Sequence, residues 1–260
     1  MRQRGEGAPG RPRPGRLHRT PWPSYKYGMQ GEPLYQIRVS LIGVSPTVWR
    51  RLIVPSGLDL AGLHIALVRA MGWVGDHLHE FASGTRNIGP VDPEDPGWNP
   101  PEDESGVRVG DVLRLPGAKL HYLYDFGDSW EHEVVLEKVM PADATLRYPL
   151  VMEGAYACPP EDCGGPQRYK DLMRAHLGPE SPARRNADRV LGEGYDHCRF
   201  DLDSANAAII AAFEEGFTRP QSFTLDNISS IDFAAPGEDR EDGEDDDEPL
   251  PSAPSPSQGQ

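Results

Sequence analysis

Apolar and polar side chains alternate along residues 34–44, the pattern of a strand with one face buried. Pro46 ends this pattern, and extended character resumes over residues 48–54. The sequence therefore predicts an antiparallel hairpin built from these two strands.

The spacing changes after residue 58, where apolar positions recur three and four residues apart. Leu60, Leu63 and His64 lie on one stripe of this pattern, and Gly72 stands where a helix commonly ends. We therefore expect a helix from Leu58 to about Met71, directly after the hairpin.

The second half of the chain repeats the strand pattern. Residues 120–126 and 130–136 alternate around a Gly-Asp-Ser turn and predict a second antiparallel hairpin. The other predicted elements are a strand at 77–82, a long loop rich in proline and acids at 84–105, a short strand at 150–153, a helix at 167–177, and a last helix capped by Asp203 or Ser204 that runs to Phe213.

Together these elements predict an α+β fold. A strand-strand-helix unit comes first, followed by an antiparallel hairpin and C-terminal helices. The opening unit is compatible with a β-grasp arrangement.

Composition divides the chain into three parts. Residues 1–30 hold seven basic residues and one acidic residue, whereas residues 234–260 hold nine acidic residues and one arginine. Both segments have too few apolar residues to offset their ordering entropy, so we expect a basic and an acidic disordered tail. Removing their charges of +6 and −8 from the net charge of −15 leaves −13 on the predicted domain at 31–233.

This acidity disfavours nucleic acid as a partner, because phosphate contacts require a cationic face. Three cysteines are too few for a disulfide framework and indicate a reducing, cytoplasmic location. No apolar stretch approaches the length of a membrane span. A protein or a small molecule remains as the expected partner.

Two histidines offer a candidate metal site. His77 and His79 are two residues apart on a predicted strand, so both side chains leave the same face at a spacing that one ion can bridge. The third ligand is His132 or a carboxylate of the second hairpin's turn, and zinc is a typical ion for such a set. The alternative is structural: the histidines hydrogen-bond to carboxylates and pack against aromatic rings.

Cys158 and Cys163 enclose a Pro-Pro-Glu-Asp loop, and two glycines follow the second cysteine. Four intervening residues are the upper limit for a zinc knuckle, and Asp162 or a distant histidine would have to complete the ligand set. Packing of two buried thiols in a rigid loop and a reversible disulfide are the alternatives.

Four carboxylates crowd the second hairpin's turn, and two arginines of the first hairpin are available to pair with them. If residues alternate along the second strand, either Arg50 or Arg51 must point inward. We expect an arginine–carboxylate bridge between the hairpins. The carboxylates are Asp125, Asp128, Glu131 and Glu133.

Aromatic residues lie in or beside these same motifs. They form either part of the core or, if partly exposed, a binding groove with the histidines and acids at its rim. The residues are Trp49, Trp73, Phe81, Tyr122, Tyr124 and Trp130.

Five ordered motifs resemble the Ri-plasmid open-reading-frame-three-like family. They are Trp49-Arg50-Arg51, Ala70-Met71-Gly72-Trp73, His77-Leu78-His79-Glu80-Phe81, the run from Tyr124 to His132, and the run from Cys158 to Gly165. The resemblance covers residues 34–213 and implies an α+β domain associated with mobile elements. Family members carry transposon-passenger or resolvase-like labels, and no catalytic residues are carried over from them.

Two functions follow as hypotheses. The first is a non-enzymatic binding or accessory module that acts through a polar and aromatic groove. The second is a metal-dependent hydrolase with Asp128 or Glu131 as general base. DNA recombination is disfavoured, because the acidic domain lacks a basic DNA-binding module.

Overall fold

A computed structural model describes residues 32–92, 94, 97–142 and 149–215. The predicted disordered tails lie outside the described residues. Both boundaries of the predicted domain at 31–233 lie outside them as well.

Eight strands form one sheet in the order β5-β4-β3-β6-β7-β1-β2-β8. All neighbours pair antiparallel except β4 and β5, which are parallel. The strands are β1 (Leu34–Leu41), β2 (Trp49–Pro55), β3 (His79–Ser83), β4 (Arg86–Gly89), β5 (Glu102–Asp103), β6 (Lys119–Tyr124), β7 (Trp130–Met140) and β8 (Leu150–Ala155). The helices are α1 (Leu60–Met71), α2 (Val109–Val112), α3 (Gly165–His176), α4 (Pro182–Leu191) and α5 (Leu202–Glu215), with a 3₁₀ turn at Glu104–Gly106.

The opening strand-strand-helix unit confirms the prediction. β1 and β2 pair antiparallel, with Ile37 opposite Leu52. Helix α1 begins where the Asp59 side chain accepts the amide hydrogen of Gly62, and it ends at Gly72 in the left-handed conformation that glycine adopts without strain.

The core lies between one face of the sheet and the helices. Alternate strand residues such as Ile37 and Val134 are fully buried, and Leu63 and Leu67 of α1 belong to the same buried cluster. The opposite face carries ion pairs such as Lys119–Glu133. The α+β class is therefore shown: one sheet face packs in the main core, and the other carries ion pairs and a small apolar cluster at Leu34 and Ile53.

Several local predictions were wrong in detail. Strand β3 begins at His79 rather than residue 77, because pairing with β6 starts there. The predicted loop at 84–105 contains β4 and β5, whose two to four residues are too short to show a period. Asp201, rather than Asp203 or Ser204, caps the start of α5, because its side chain accepts the amide hydrogen of Ser204.

Within the described residues, no helix combines the length and the apolar composition needed to cross a bilayer.

Candidate functional site

Arg50 of β2 is the inward-pointing arginine. It is 2% exposed and donates hydrogen bonds to the carbonyls of Ala70, Ala155 and Tyr156 at 2.8–3.0 Å. Burial lowers its pKa to about 10, and its guanidinium stacks 3.9 Å from the ring centroid of Phe200. Arg50 therefore ties the end of α1 to the end of β8 through backbone groups.

Glu161 fixes the loop after β8 to the segment after α1. Its carboxylate accepts the amide hydrogens of Val74 at 2.7 Å and Gly75 at 3.4 Å. The hydroxyl of Tyr124 donates to the same carboxylate at 2.5 Å, and burial together with Glu161 raises the pKa of that phenol. One carboxylate thus joins three segments that are distant in sequence.

Further hydrogen bonds hold the same segments. The indole of Trp73 donates to the carbonyl of Pro159 at 2.8 Å. Gly164 donates its amide hydrogen to the Asp128 carboxylate at 2.9 Å. We name residues 74–78, 125–129 and 158–165 the three-segment surface.

The three-segment surface contains backbone in the left-handed region at residues other than glycine. Asp125, Ser129 and Asp162 have φ of 58°, 54° and 58°. Such conformations persist where the surrounding contacts determine them, and they concentrate at functional sites. The surface also exposes apolar side chains, since Val74 is 54% exposed and Phe126 is 45% exposed. The predicted alternation of Phe126 into the core was therefore wrong.

His77 lies on this surface between two aspartates. Its Nδ1 is 3.7 Å from Asp125 Oδ2, and its Nε2 is 3.4 Å from Asp162 Oδ1. One ligand atom from each of the three residues lies within 4.8 Å of the others. The ring edge also contacts Tyr124 at a centroid distance of 5.7 Å.

His79 does not share this site with His77. Its Nε2 contacts Glu104 at 2.7 Å, and its ring stacks on His64 with centroids 3.5 Å apart. The Nδ1 of His64 contacts the Tyr122 hydroxyl at 2.8 Å. All four side chains are buried. The predicted same-face pair is not formed, because His77 precedes the strand.

His132 is fully buried and lies apart from both other histidines. Its Nδ1 donates to the Tyr122 carbonyl at 3.3 Å, and its ring contacts Trp73 edge-on. Burial lowers its pKa to about 4. The predicted ligand set of His77, His79 and His132 is therefore not assembled by the described residues.

Cys158 and Cys163 are free thiols. Burial raises the pKa of both, that of Cys163 to about 12, which disfavours the thiolate that binds metals or attacks substrates. Neither belongs to a cluster of three metal-ligating groups in the described part of the chain. Their environment agrees with the packing alternative.

The two general-base candidates lie apart. Asp128 receives the Gly164 amide hydrogen on the three-segment surface, whereas Glu131 lies on the polar sheet face 3.4 Å from His121. Among the described residues, His77 and His79 have different partners, so the predicted hydrolase site, with His132 or a carboxylate as third ligand, is not formed.

The expected bridge between the hairpins is present with a different carboxylate. Arg51 contacts Glu137 of β7 through two nitrogens, at 2.6 and 3.0 Å, and also pairs with Glu153. Glu137 was not among the predicted partners. It meets Arg51 because both residues point to the polar face of the sheet.

The aromatic motif residues belong mainly to the core. Trp73, Phe81, Tyr124 and Trp130 are at most 3% exposed, so they do not line an open groove. Trp49 is the partly exposed member, and the guanidinium of Arg38 lies 4.4 Å from its ring centroid.

Sequence reasoning missed Glu161 and the stacked pair of His64 and His79. The position of His64 on the apolar stripe of α1 was a usable signal, because a buried imidazole requires polar partners. Glu161 gave no such signal, since its partners are more than thirty residues away.

The fold and the site together define a class of protein: an α+β protein with one mixed sheet and an acidic site formed by loops. The chain belongs to the family described as Plasmid pRiA4b ORF-3-like protein, which matches residues 33–204. This confirms the resemblance seen in the motifs.

Two relatives extend the comparison. The uncharacterized protein y4hQ of Sinorhizobium fredii strain NGR234 is 35% identical over 176 residues, which are 67% of this chain and 89% of that protein. The crystal structure of MM3350, a protein of unknown function from Methanosarcina mazei Go1, has a TM-score of 0.61 and 30% identity. The match covers 67% of this chain and 97% of that chain.

Proposed function

We propose that the protein is a non-enzymatic binding module whose three-segment surface binds a positively charged ligand. One observation carries this proposal: the surface gathers five carboxylates, and among the described residues none of them forms a salt bridge with lysine or arginine. They are Asp76, Asp125, Asp128, Glu161 and Asp162.

Fixed carboxylates repel one another, and a cationic ligand relieves this repulsion. Hydrogen bonds through Glu161 and Asp128 hold the segments before a ligand arrives, so little conformational entropy is lost on binding. Val74 and Phe126 offer apolar contact beside the charges. A cationic ligand that also carries an apolar group therefore gains a second kind of contact on this surface.

A role as an accessory module of mobile elements rests on the family description, which refers to a plasmid open reading frame. A cytoplasmic location is supported by the three free cysteines. The accessory role and the cytoplasmic location are therefore parts of this proposal.

Nuclear magnetic resonance titration of the full chain tests it. The probes are butylguanidinium, butyramide and butyrate, which share an apolar group and differ in charge. We expect butylguanidinium to shift the amide signals of the three-segment surface with at least fivefold higher affinity than butyramide, and butyrate to leave them unchanged.

Two variants give the control. Asp162→Asn should weaken the butylguanidinium titration, whereas Glu153→Gln, a change of an exposed carboxylate on β8, should not. Shifts that spread evenly over all acidic regions, or that spare the three-segment surface, would overturn the proposal.

A further inference from the structure

We propose that His77, Asp125 and Asp162 form a binding site for one divalent transition-metal ion. This inference rests on the proposed function, because it names a metal ion as a cationic ligand of the three-segment surface. The three residues come from three different segments, so the site exists only in the folded chain.

The distances suit an ion held between the three side chains. Two ligand atoms on one tetrahedral zinc ion lie about 3.4 Å apart when each bond is about 2.1 Å. The separation of His77 Nε2 from Asp162 Oδ1 is 3.4 Å, and one atom of each residue lies within 4.8 Å of the others. Asp125 faces the other ring nitrogen of His77 at 3.7 Å, so the imidazole ring has to turn before all three residues bind one ion through a single nitrogen.

Asp125 is prepared as a ligand. The residue is 8% exposed, and its Oδ1 accepts the amide hydrogens of Gly127 and Asp128 at 2.9 and 3.3 Å. Its Oδ2 is directed at His77 and, within the described residues, receives no hydrogen bond. The lone pairs of Oδ2 are therefore available to an ion placed beside His77.

The other two ligands, His77 and Asp162, are held in position and remain accessible to solvent. The Tyr124 ring contacts the edge of His77, and neighbouring Glu161 anchors the backbone that carries Asp162. The side chains of His77 and Asp162 are 30% and 79% exposed. An ion can therefore enter from solvent and keep open coordination positions for water or a further ligand.

Other histidine–carboxylate contacts in the described chain differ from this one. His79 and Glu104 form a direct hydrogen bond at 2.7 Å, which leaves no room for an ion. His121 has one carboxylate, Glu131, at 3.4 Å. Asp196, His197 and Cys198 do cluster, and their set is included in the test below.

The ligand chemistry selects the class of ion. One imidazole nitrogen with two carboxylate oxygens is typical of zinc and manganese sites, whereas magnesium and calcium prefer oxygen alone. The acidic surroundings add electrostatic attraction for a divalent ion.

Isothermal titration calorimetry of the metal-free full chain with Zn²⁺ and with Mn²⁺ tests the proposal. The variants are His77→Gln and Asp162→Asn, both at partly exposed positions where the fold tolerates the change. His121→Gln is the matched control, because that histidine faces a carboxylate at the same distance. Cys198→Ser reports on the second cluster.

We expect one high-affinity equivalent of ion, bound at least tenfold more weakly by His77→Gln and by Asp162→Asn, and unchanged within twofold in the two other variants. Histidine ring signals of His77 should shift on addition of Zn²⁺. Equal binding in His77→Gln and the wild-type chain, loss with Cys198→Ser, or no site above the weak binding of the acidic residues 234–260 would overturn the proposal. If butylguanidinium still binds in that case, the proposed function stands and only the metal inference fails.

Discussion

Two buried polar atoms belong to residues two positions apart on β7, and both face the aromatic core. Trp130 Nε1 and His132 Nε2 have no hydrogen-bond partner among the described residues, and both residues are 0% exposed. Each unsatisfied group costs about 1–3 kcal/mol. The core therefore tolerates a neutral imidazole and opposes a charged one.

The pKa of His132 makes stability depend on pH. Burial lowers this pKa from 6.5 to about 4, so between these values the unfolded chain binds a proton that the native chain does not. The free energy of unfolding should fall as the pH falls from 6.5 towards 4, by a total of about 3 kcal/mol. Urea denaturation at several pH values measures this change.

A pair of variants assigns the effect to its residue. His132→Gln should flatten the pH dependence, although it also lowers stability at neutral pH, whereas His121→Gln on the polar sheet face should retain it. A steep pH dependence that persists in His132→Gln would contradict the assignment.

The adjacent arginines of β2 should lose stability to very different degrees when each is replaced by lysine. Arg50→Lys removes donors from several buried carbonyls and should lower the free energy of unfolding by about 3 kcal/mol. Arg51→Lys alters a partly exposed ion pair and should cost less than about 1 kcal/mol. Chemical denaturation measures both, and equal losses would count against the anchoring role of Arg50.

At the scale of elements, the junction between the β8–α3 loop and helix α3 depends on one glycine. Gly165 has φ of +80°, and a Cβ there would lie 2.4 Å from the Asp128 carbonyl oxygen. Gly165→Ala should therefore lower the free energy of unfolding by about 2 kcal/mol and separate the loop from the 125–129 turn.

Gly72 provides the matched comparison. It has φ of +91°, but a Cβ there would meet nothing within 4 Å, so Gly72→Ala adds only backbone strain of about 1 kcal/mol. Thermal denaturation of the two variants measures the difference. An equal loss in both would show that the contact with Asp128 is not maintained.

Local periodicity was sufficient to predict much of the fold. The two hairpins, α1 and its Gly72 end follow from alternation and from three-to-four spacing, which each segment carries by itself. Helix α4 had no predicted counterpart, although Ser181 accepts the Arg184 amide hydrogen at its start. The short strands β4 and β5 depend on their neighbours in the sheet and show no pattern of their own.

The candidate site was harder to predict than the fold. His77 and Asp125 were identified as candidate ligands, but the prediction that His79 lies beside them was wrong. Strand β3 starts two residues later than the pattern indicated, so His77 and His79 do not share a face. The contacts of Glu161 join residues up to 87 positions apart. Hydrogen bonds between such distant residues depend on the tertiary fold and leave no local pattern in the sequence.

At the scale of the whole molecule, charge limits the partners. Residues 31–233 carry a net charge of −13, with the carboxylates of the three-segment surface among them. We expect the chain from residue 31 onward to show no affinity for short duplex DNA at physiological ionic strength in a gel-retardation assay. Binding that weakens steeply with added salt would contradict this expectation.

The central claim is that distant motifs are held together as one preorganised surface. Native-state hydrogen exchange at the amides of Val74 and Gly164 tests it most directly, because these amides bond to Glu161 and Asp128 across segments. We expect both to exchange about a hundredfold more slowly than the exposed loop amide of Gly97, and Glu161→Ala to abolish the protection at Val74. Exchange of both amides as fast as that of Gly97 would show that the segments are not fixed to one another, and would contradict the account.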